Sequence, residues 1–140
     1  MDLTTALAWA ATQHNGVLIT LRADGRAQSS DISYLVDDDT FLISVTDDRA
    51  KTRNMRRDDR VVVHLTDPAS WSYLSFDGIA ELMPVATAPG DATCDLLVRY
   101  YRGVTHGEHS DWDDYRRAMV ADHRLMVRVK PTAVVGQIRG

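Results

Sequence analysis

The stretch "VLITLRADGRAQSSDISYLVDDDTFLISVT", Val17 to Thr46, decides the fold. Val17 to Leu21 is a short apolar run rich in β-branched residues. Asp24-Gly25 follows, a dipeptide that turns readily between two antiparallel strands because glycine takes positive φ at no steric cost. On the return, Ile32, Tyr34 and Val36 fall on one face and Ser29, Asp31 and Ser33 on the other. That alternation predicts one strand running to about Val36, with a buried and a wet side. Asp37, Asp38 and Asp39 make a polar turn, and Phe41, Ile43 and Val45 alternate in the next strand. Consecutive strands joined by tight turns pair antiparallel, so this is not the strand–helix alternation of a doubly wound fold.

Working outward, Leu3, Ala6, Leu7 and Ala10 recur at helical spacing, with Asp2 as a cap and Asn15-Gly16 as the expected stop. "RVVVHLT" (Arg60 to Thr66) and "WSYLSFDGIAEL" (Trp71 to Leu82) read as strands. Gly78 inside the second marks a bulge or a close approach by another backbone. Asp91 to Arg102 reads as a helix with Cys94, Leu97, Val98 and Tyr101 as its apolar stripe and Gly103 as its stop. Another helix opens at Ser110, with Asp113 three residues on, as in a capping box. "LMVRVK" and "AVVGQI" read as two final strands separated by Pro131-Thr132. The expected fold is mainly β with flanking helices: about six or seven strands and four helices, closing into a barrel or a sandwich.

A chain of 140 residues suits one domain, 1–140, because roughly 100–150 residues build a single core. No apolar run approaches the ~20 residues of a membrane helix, and the acidic start at Asp2 is unlike a secretory signal. Cys94, the lone cysteine, cannot form an internal disulfide. Together these imply a cytoplasmic protein with no membrane partner. A net charge of −4 argues against nucleic acid as a partner. Neither a glycine-rich dinucleotide fingerprint nor a P-loop is present.

Against that acidity, "RAKTRNMRR" (Arg49 to Arg57) holds Arg49, Lys51, Arg53, Arg56 and Arg57 and no acid. Asp47-Asp48 and Asp58-Asp59 flank it. It follows a strand and begins a helix, whose N-terminus offers unpaired N–H groups and partial positive charge to a phosphate. Arg49, Lys51 and Thr52 lie in the first turn and supply a planar fork, a compact charge and a hydroxyl donor. Arg53, Arg56 and Arg57 either hold a longer anionic tail or face water, and charge runs usually face water.

"RAKTRNMRRDDR" after "FLISVT", with "WSYLSFDGIAEL" and "GEHSDWDDYRRAMV" further on, resembles the flavin/deazaflavin oxidoreductases of the pyridoxamine 5'-phosphate oxidase-like superfamily. The branch that binds cofactor F420 is the most similar. The resemblance spans Val17 to Val129. It implies a split β-barrel and a homodimer with two cofactor sites at the subunit interface. It also implies that Arg49, Lys51 and Thr52 bind phosphate, that Asn54 belongs to the same motif, and that Gln28 and Ser30 lie near the tricyclic ring. Trp71 and Tyr73 would close the ring pocket from the other subunit. F420 is expected over FMN because an oligoglutamate tail gives the extra arginines something to bind. The reaction would be hydride transfer to a small organic substrate. The alternatives are an FMN-dependent oxidase or reductase, and a binding protein without turnover. Asp31, where relatives often carry Asn, is either unfavourable to an anionic cofactor or a proton relay.

No catalytic triad is evident, and hydride chemistry carried by a cofactor requires none. Asp31, Tyr34 and Tyr73 are the pocket candidates for moving a proton. His106, Glu108, His109 and Asp111 match no standard zinc spacing and read as a polar loop entering a capped helix, so no metal is expected. Cys94 reads as a buried inert thiol and His64 as a satisfied or edge-facing histidine. Tyr100 is placed to reach an interface.

Overall fold

The computed structural model describes Met1 to Gly140. Asp24-Gly25 makes the expected turn: Gly25 has φ 85°, and β1 (Asn15–Leu21) pairs antiparallel with β2 (Ala27–Ser33). The predicted single strand to Val36 is interrupted at Tyr34. A separate β3 (Leu35–Asp37) pairs instead with β4 (Thr40–Thr46). With β5 (Arg60–Asp67), β6 (Ser72–Leu82) and β7 (Arg124–Gln137), the sheet runs β2-β1-β5-β6-β7-β4-β3. β2 and β3 are thus opposite edges, yet only Tyr34 separates them in the chain. The sheet must curl until its edges meet, and every neighbouring pair in it is antiparallel.

Tyr34 fills that seam. It is 4% exposed, its hydroxyl donates to the Ala10 carbonyl at 2.6 Å, and its ring packs edge-on against Phe41. Phe41 packs in turn on Phe76, and Leu18, Val63, Leu74 and Val127 complete the barrel interior. Each such fully buried side chain contributes about 1.5–3 kcal/mol.

The two predicted terminal strands are one. Gly78 pairs with Pro131 and Asp77 with Ala133, so Thr132 is an extra residue on β7. This bulge absorbs the proline, which has no N–H to give the ladder. Gly78 meets the expectation of close approach: a Cβ there would lie 3.0 Å from the Lys130 carbonyl oxygen.

The helices sit outside the barrel. α1 (Leu3–Ala10) is capped by Asp2, which accepts from the Thr5 N–H, but it ends at Ala10. Asn15-Gly16, the expected stop, already belongs to β1. α2 (Ala50–Arg57) links β4 to β5. α3 (Ala92–Thr105) runs through Gly103 and ends at His106, φ 55°. Gly103 is needed for packing, since a Cβ would strike Leu35. α4 (Trp112–Ala121) is capped by Asp111, one residue after the expected Ser110, because the Asp111 carboxylate accepts from the Asp114 N–H. Buried Asp37 accepts from Arg99 of α3 and from Arg128 of β7, tying that helix to the sheet. No helix is long and apolar enough to cross a membrane.

Candidate functional site

The start of α2 is fixed by backbone. Thr46, the last residue of β4, is in register with Arg124, the first of β7, and the Asp47 N–H donates to the His123 carbonyl at 3.0 Å. Arg49 is the N-cap residue and makes no side-chain cap bond, so its guanidinium is exposed and free. Lys51 is half-buried. Desolvation, and then the neighbouring charges of Arg49 and Arg124, hold its ammonium below the usual lysine range. None of the chain's ion pairs engages Arg49, Lys51 or Arg124.

Thr52 points inward. It is fully buried and its hydroxyl donates to the Thr46 carbonyl at 2.7 Å. Its proton is committed to holding the helix start on β4, which corrects the expectation of a free hydroxyl donor. Asn54 is also buried and bonds within the chain through both N–H donors and its oxygen. It donates to Thr20 Oγ1 and Gln28 Oε1, each at 3.1 Å, and accepts from Arg57 at 2.8 Å. Asn54 therefore orients Gln28 on β2. Ser30, two residues on, shares Gln28's face and is likewise half-buried.

The later arginines are engaged at home. Arg53 donates to the Asp48 carbonyl at 2.6 Å, Arg56 pairs with Asp47 at 2.5 Å, and Arg57 reaches the Leu21 carbonyl at 3.1 Å.

A cavity of about 290 Å³ opens beside Lys51, with Arg124, Ser44, Asp31 and the rings of Tyr100 and Tyr115 among its walls. Asp31 is exposed on the wet face of β2 and pairs with neither cation. The tyrosine hydroxyls donate to the chain's own carbonyls, Tyr100 to Ser33 at 2.9 Å and Tyr115 to Leu97 at 3.0 Å. Burial pushes Tyr115 up to about 12 and raises Tyr100. Tyr100 braces α3 against β2. Tyr34 is also corrected as a proton carrier: its hydroxyl is bonded in the core and burial raises its pKa.

Trp71 and Tyr73 lie on a second hollow of about 440 Å³ with His64, Gln137 and Arg139. Trp71 is 78% exposed with φ 57°, and Tyr73 is 41% exposed with its ring 6.0 Å from that of His64. Within one chain the structure sets Arg49 beside Lys51 and bonds Asn54 to Gln28, but of the expected cofactor-binding residues only Lys51 lines the cavity, and Trp71 and Tyr73 lie on a different hollow. The polar loop is spent on itself: Glu108 accepts from Arg102 and from Trp112, and His109 Nδ1 accepts from the Asp111 N–H. Cys94 is buried, its thiol pushed up to about 11 chiefly by desolvation, and is a packing residue.

Sequence reasoning missed Arg124 and Ser44. They are 80 residues apart, and only the β4–β7 register joins them beside α2.

A curled antiparallel sheet with a basic helix start at its end defines a split β-barrel with a cationic rim. Residues 4–136 match the sequence model for pyridoxamine 5'-phosphate oxidase, and the chain belongs to that family. Among solved structures, a conserved hypothetical protein of Mycobacterium tuberculosis, Rv2991, superposes with TM-score 0.77 at 21% identity, covering 97% of this chain and 84% of that one. An F420 reductase superposes with TM-score 0.68 at 25% identity, covering 87% and 89%. A heme-binding protein from Mycobacterium smegmatis gives TM-score 0.71 at 18% identity, covering 96% and 53%. The fold alone does not choose the ligand; the side chains must.

Proposed function

We propose that this chain is an F420-dependent oxidoreductase that uses the reduced cofactor to deliver a hydride to a small organic substrate, with its sites shared across a homodimer. The observation that carries the reading is the group of unpaired cations at the start of α2, in a chain of net charge −4. Like charges held together, one of them the half-desolvated Lys51, call for an anion. A phosphate fits the donor set: a guanidinium fork, an ammonium and the first N–H groups of a helix. The 25% identical F420 reductase supports the deazaflavin.

The bound cofactor would supply the hydride chemistry itself. The chain's residues bind and orient. Arg49 and Lys51 would hold the phosphate, while Thr52 keeps the helix start in place and Asn54 sets Gln28 against the ring. Asp31 and Tyr73 remain the groups open enough to move a proton.

The shared site is supported by the barrel's outer face. Ile19, Val62 and Ile79 surround a hollow of about 380 Å³, and Trp71, Tyr73 and Val135 are exposed. Trp71 and Tyr73, which line a different hollow from Lys51 in their own chain, would reach the partner's ring.

One observation favours FMN as the second reading. Arg53, Arg56 and Arg57 bond to their own chain, which weakens the case for a polyglutamate tail. Titration by fluorescence with F420 and with FMN decides between them. Lys51→Ala and Arg49→Ala should each weaken the preferred cofactor roughly tenfold or more. Unchanged affinity for both cofactors in both variants removes the phosphate assignment. FMN binding much more tightly than F420 replaces the deazaflavin with FMN. Tight binding with no oxidation of reduced F420 across a broad substrate panel leaves a binding protein.

A further inference from the structure

Arg124 opens β7 at the mouth of the cavity beside Lys51. We propose that Arg124 and Lys51 form a built pocket for a single anionic group, a phosphate or a carboxylate, with Arg124 a ligand-binding residue in its own right. The pocket extends the cofactor reading and rests on it only for which anion is held.

Placement comes first. Arg124 is in register with Thr46, whose carbonyl receives the Thr52 hydroxyl, so β7 delivers this arginine to the start of α2 through backbone bonds. Its guanidinium is poorly used there. Nη1 reaches only Ser44 Oγ, at 3.4 Å, and Nε is the one buried side-chain polar atom of the chain with no hydrogen-bond partner. A buried donor left unpaired is expensive, and most such groups in folded proteins have partners.

The same strand supplies a contrast. Arg128 lies on the same face four residues on, and its Nη1 donates to both Asp37 and Thr40. The fold can satisfy an arginine at this sheet, and at Arg124 it does not. The cavity is compact, about 290 Å³. Tyr100 and Tyr115 close it, but both have committed their protons to carbonyls. The free donors facing inward are therefore Lys51, Arg124 and the Ser44 hydroxyl. Asp31 stands at the same cavity and opposes an anion, so its charge sets how tightly one is held.

Isothermal titration of the full chain with inorganic phosphate, FMN and F420 tests this. Arg124→Gln should weaken roughly tenfold or more every probe whose anion enters the pocket. The slope of log affinity against log salt should flatten with it. Asp31→Asn should tighten the same probes several-fold. Arg117→Gln, at an exposed arginine paired loosely with Asp114, should change nothing. Loss shared by all three probes identifies the cofactor's own phosphate as the occupant. Loss confined to phosphate, which still binds after FMN or F420 has saturated the protein, identifies a separate anion. Both outcomes uphold the pocket. Wild type that binds phosphate alone removes the cofactor reading and keeps the pocket, whereas wild type that binds none of the probes removes both. A folded Arg124→Gln protein with wild-type affinities and salt slopes overturns the proposal. If that variant does not fold, Arg124→Lys decides. It keeps the charge but lacks the Nε donor, so several-fold weaker binding supports the fork and unchanged binding overturns it.

Discussion

Asn54 shows how little of this site is free-standing. Its amide joins α2 to β1 and β2, and both of its N–H donors are committed within the chain. Asn54→Ala should lower the urea midpoint by the equivalent of about 1–3 kcal/mol, because Gln28, Thr20 and Arg57 each lose a partner away from water. The slope of the transition should stay as in wild type. Wild-type stability would mean that water replaces those bonds without penalty. Arg49 and Lys51 were legible in the sequence because cations in an acidic chain stand out. The inward roles of Thr52 and Asn54 were not, since a hydroxyl or amide at a helix start looks the same whether it faces a ligand or a strand. Arg124 was hidden for a different reason: its neighbours are assembled by strand register, not by proximity in the chain.

Helix starts were readable to within a residue, and helix ends were not. Ser110 and Asp111 are both good caps, and only geometry shows that Asp111 accepts the Asp114 N–H. Gly103 carries a stop signal, but here it serves contact with Leu35 inside α3. Asp91, read in the sequence as the first helical residue, is the cap of α3 instead. Desolvation opposes its ionisation, yet the N–H groups of Thr87, Cys94 and Ala88 outweigh that and hold the carboxyl at about 2. A depressed folded pKa adds stability above the unfolded value of about 3.9. That stability is lost as pH falls from there through about 2. Asp91→Ala should therefore cost about 0.5–2 kcal/mol near neutrality. Thermal melts from pH 7 to pH 2 should show the two proteins converging at the acid end. A constant gap across that range would show that the carboxylate charge is not what caps α3. The last strand departs from its sequence pattern at the same scale. Pro131 divides two apolar runs in sequence, while the Thr132 bulge lets a single β7 pass the proline.

For the whole molecule, the barrel was legible from its first hairpin and the surface was not. Alternation tells which residues turn inward, but it does not say that Ile79 at 40% exposure and Val135 at 67% remain on the outside. Such residues on one sheet face suit a partner. The wild-type chain is expected to sediment at twice its 15.6 kDa. Ile79→Arg with Val135→Arg should shift it to the monomer and weaken cofactor binding together. A wild-type monomer at every concentration would end the shared-site proposal.

Tyr34 bears on what kind of assembly that face permits. An open seven-stranded sheet would present two bare rows of backbone N–H and C=O groups, each a template for another chain's strand. Here the edge strands are covalent neighbours across one residue, and the curl turns them toward each other. A second molecule approaching the outer face meets side chains, not a ladder waiting to be extended. Contacts of that kind saturate once the patch is covered. The seam would thereby lower the risk that a greasy exterior leads to strand-by-strand growth.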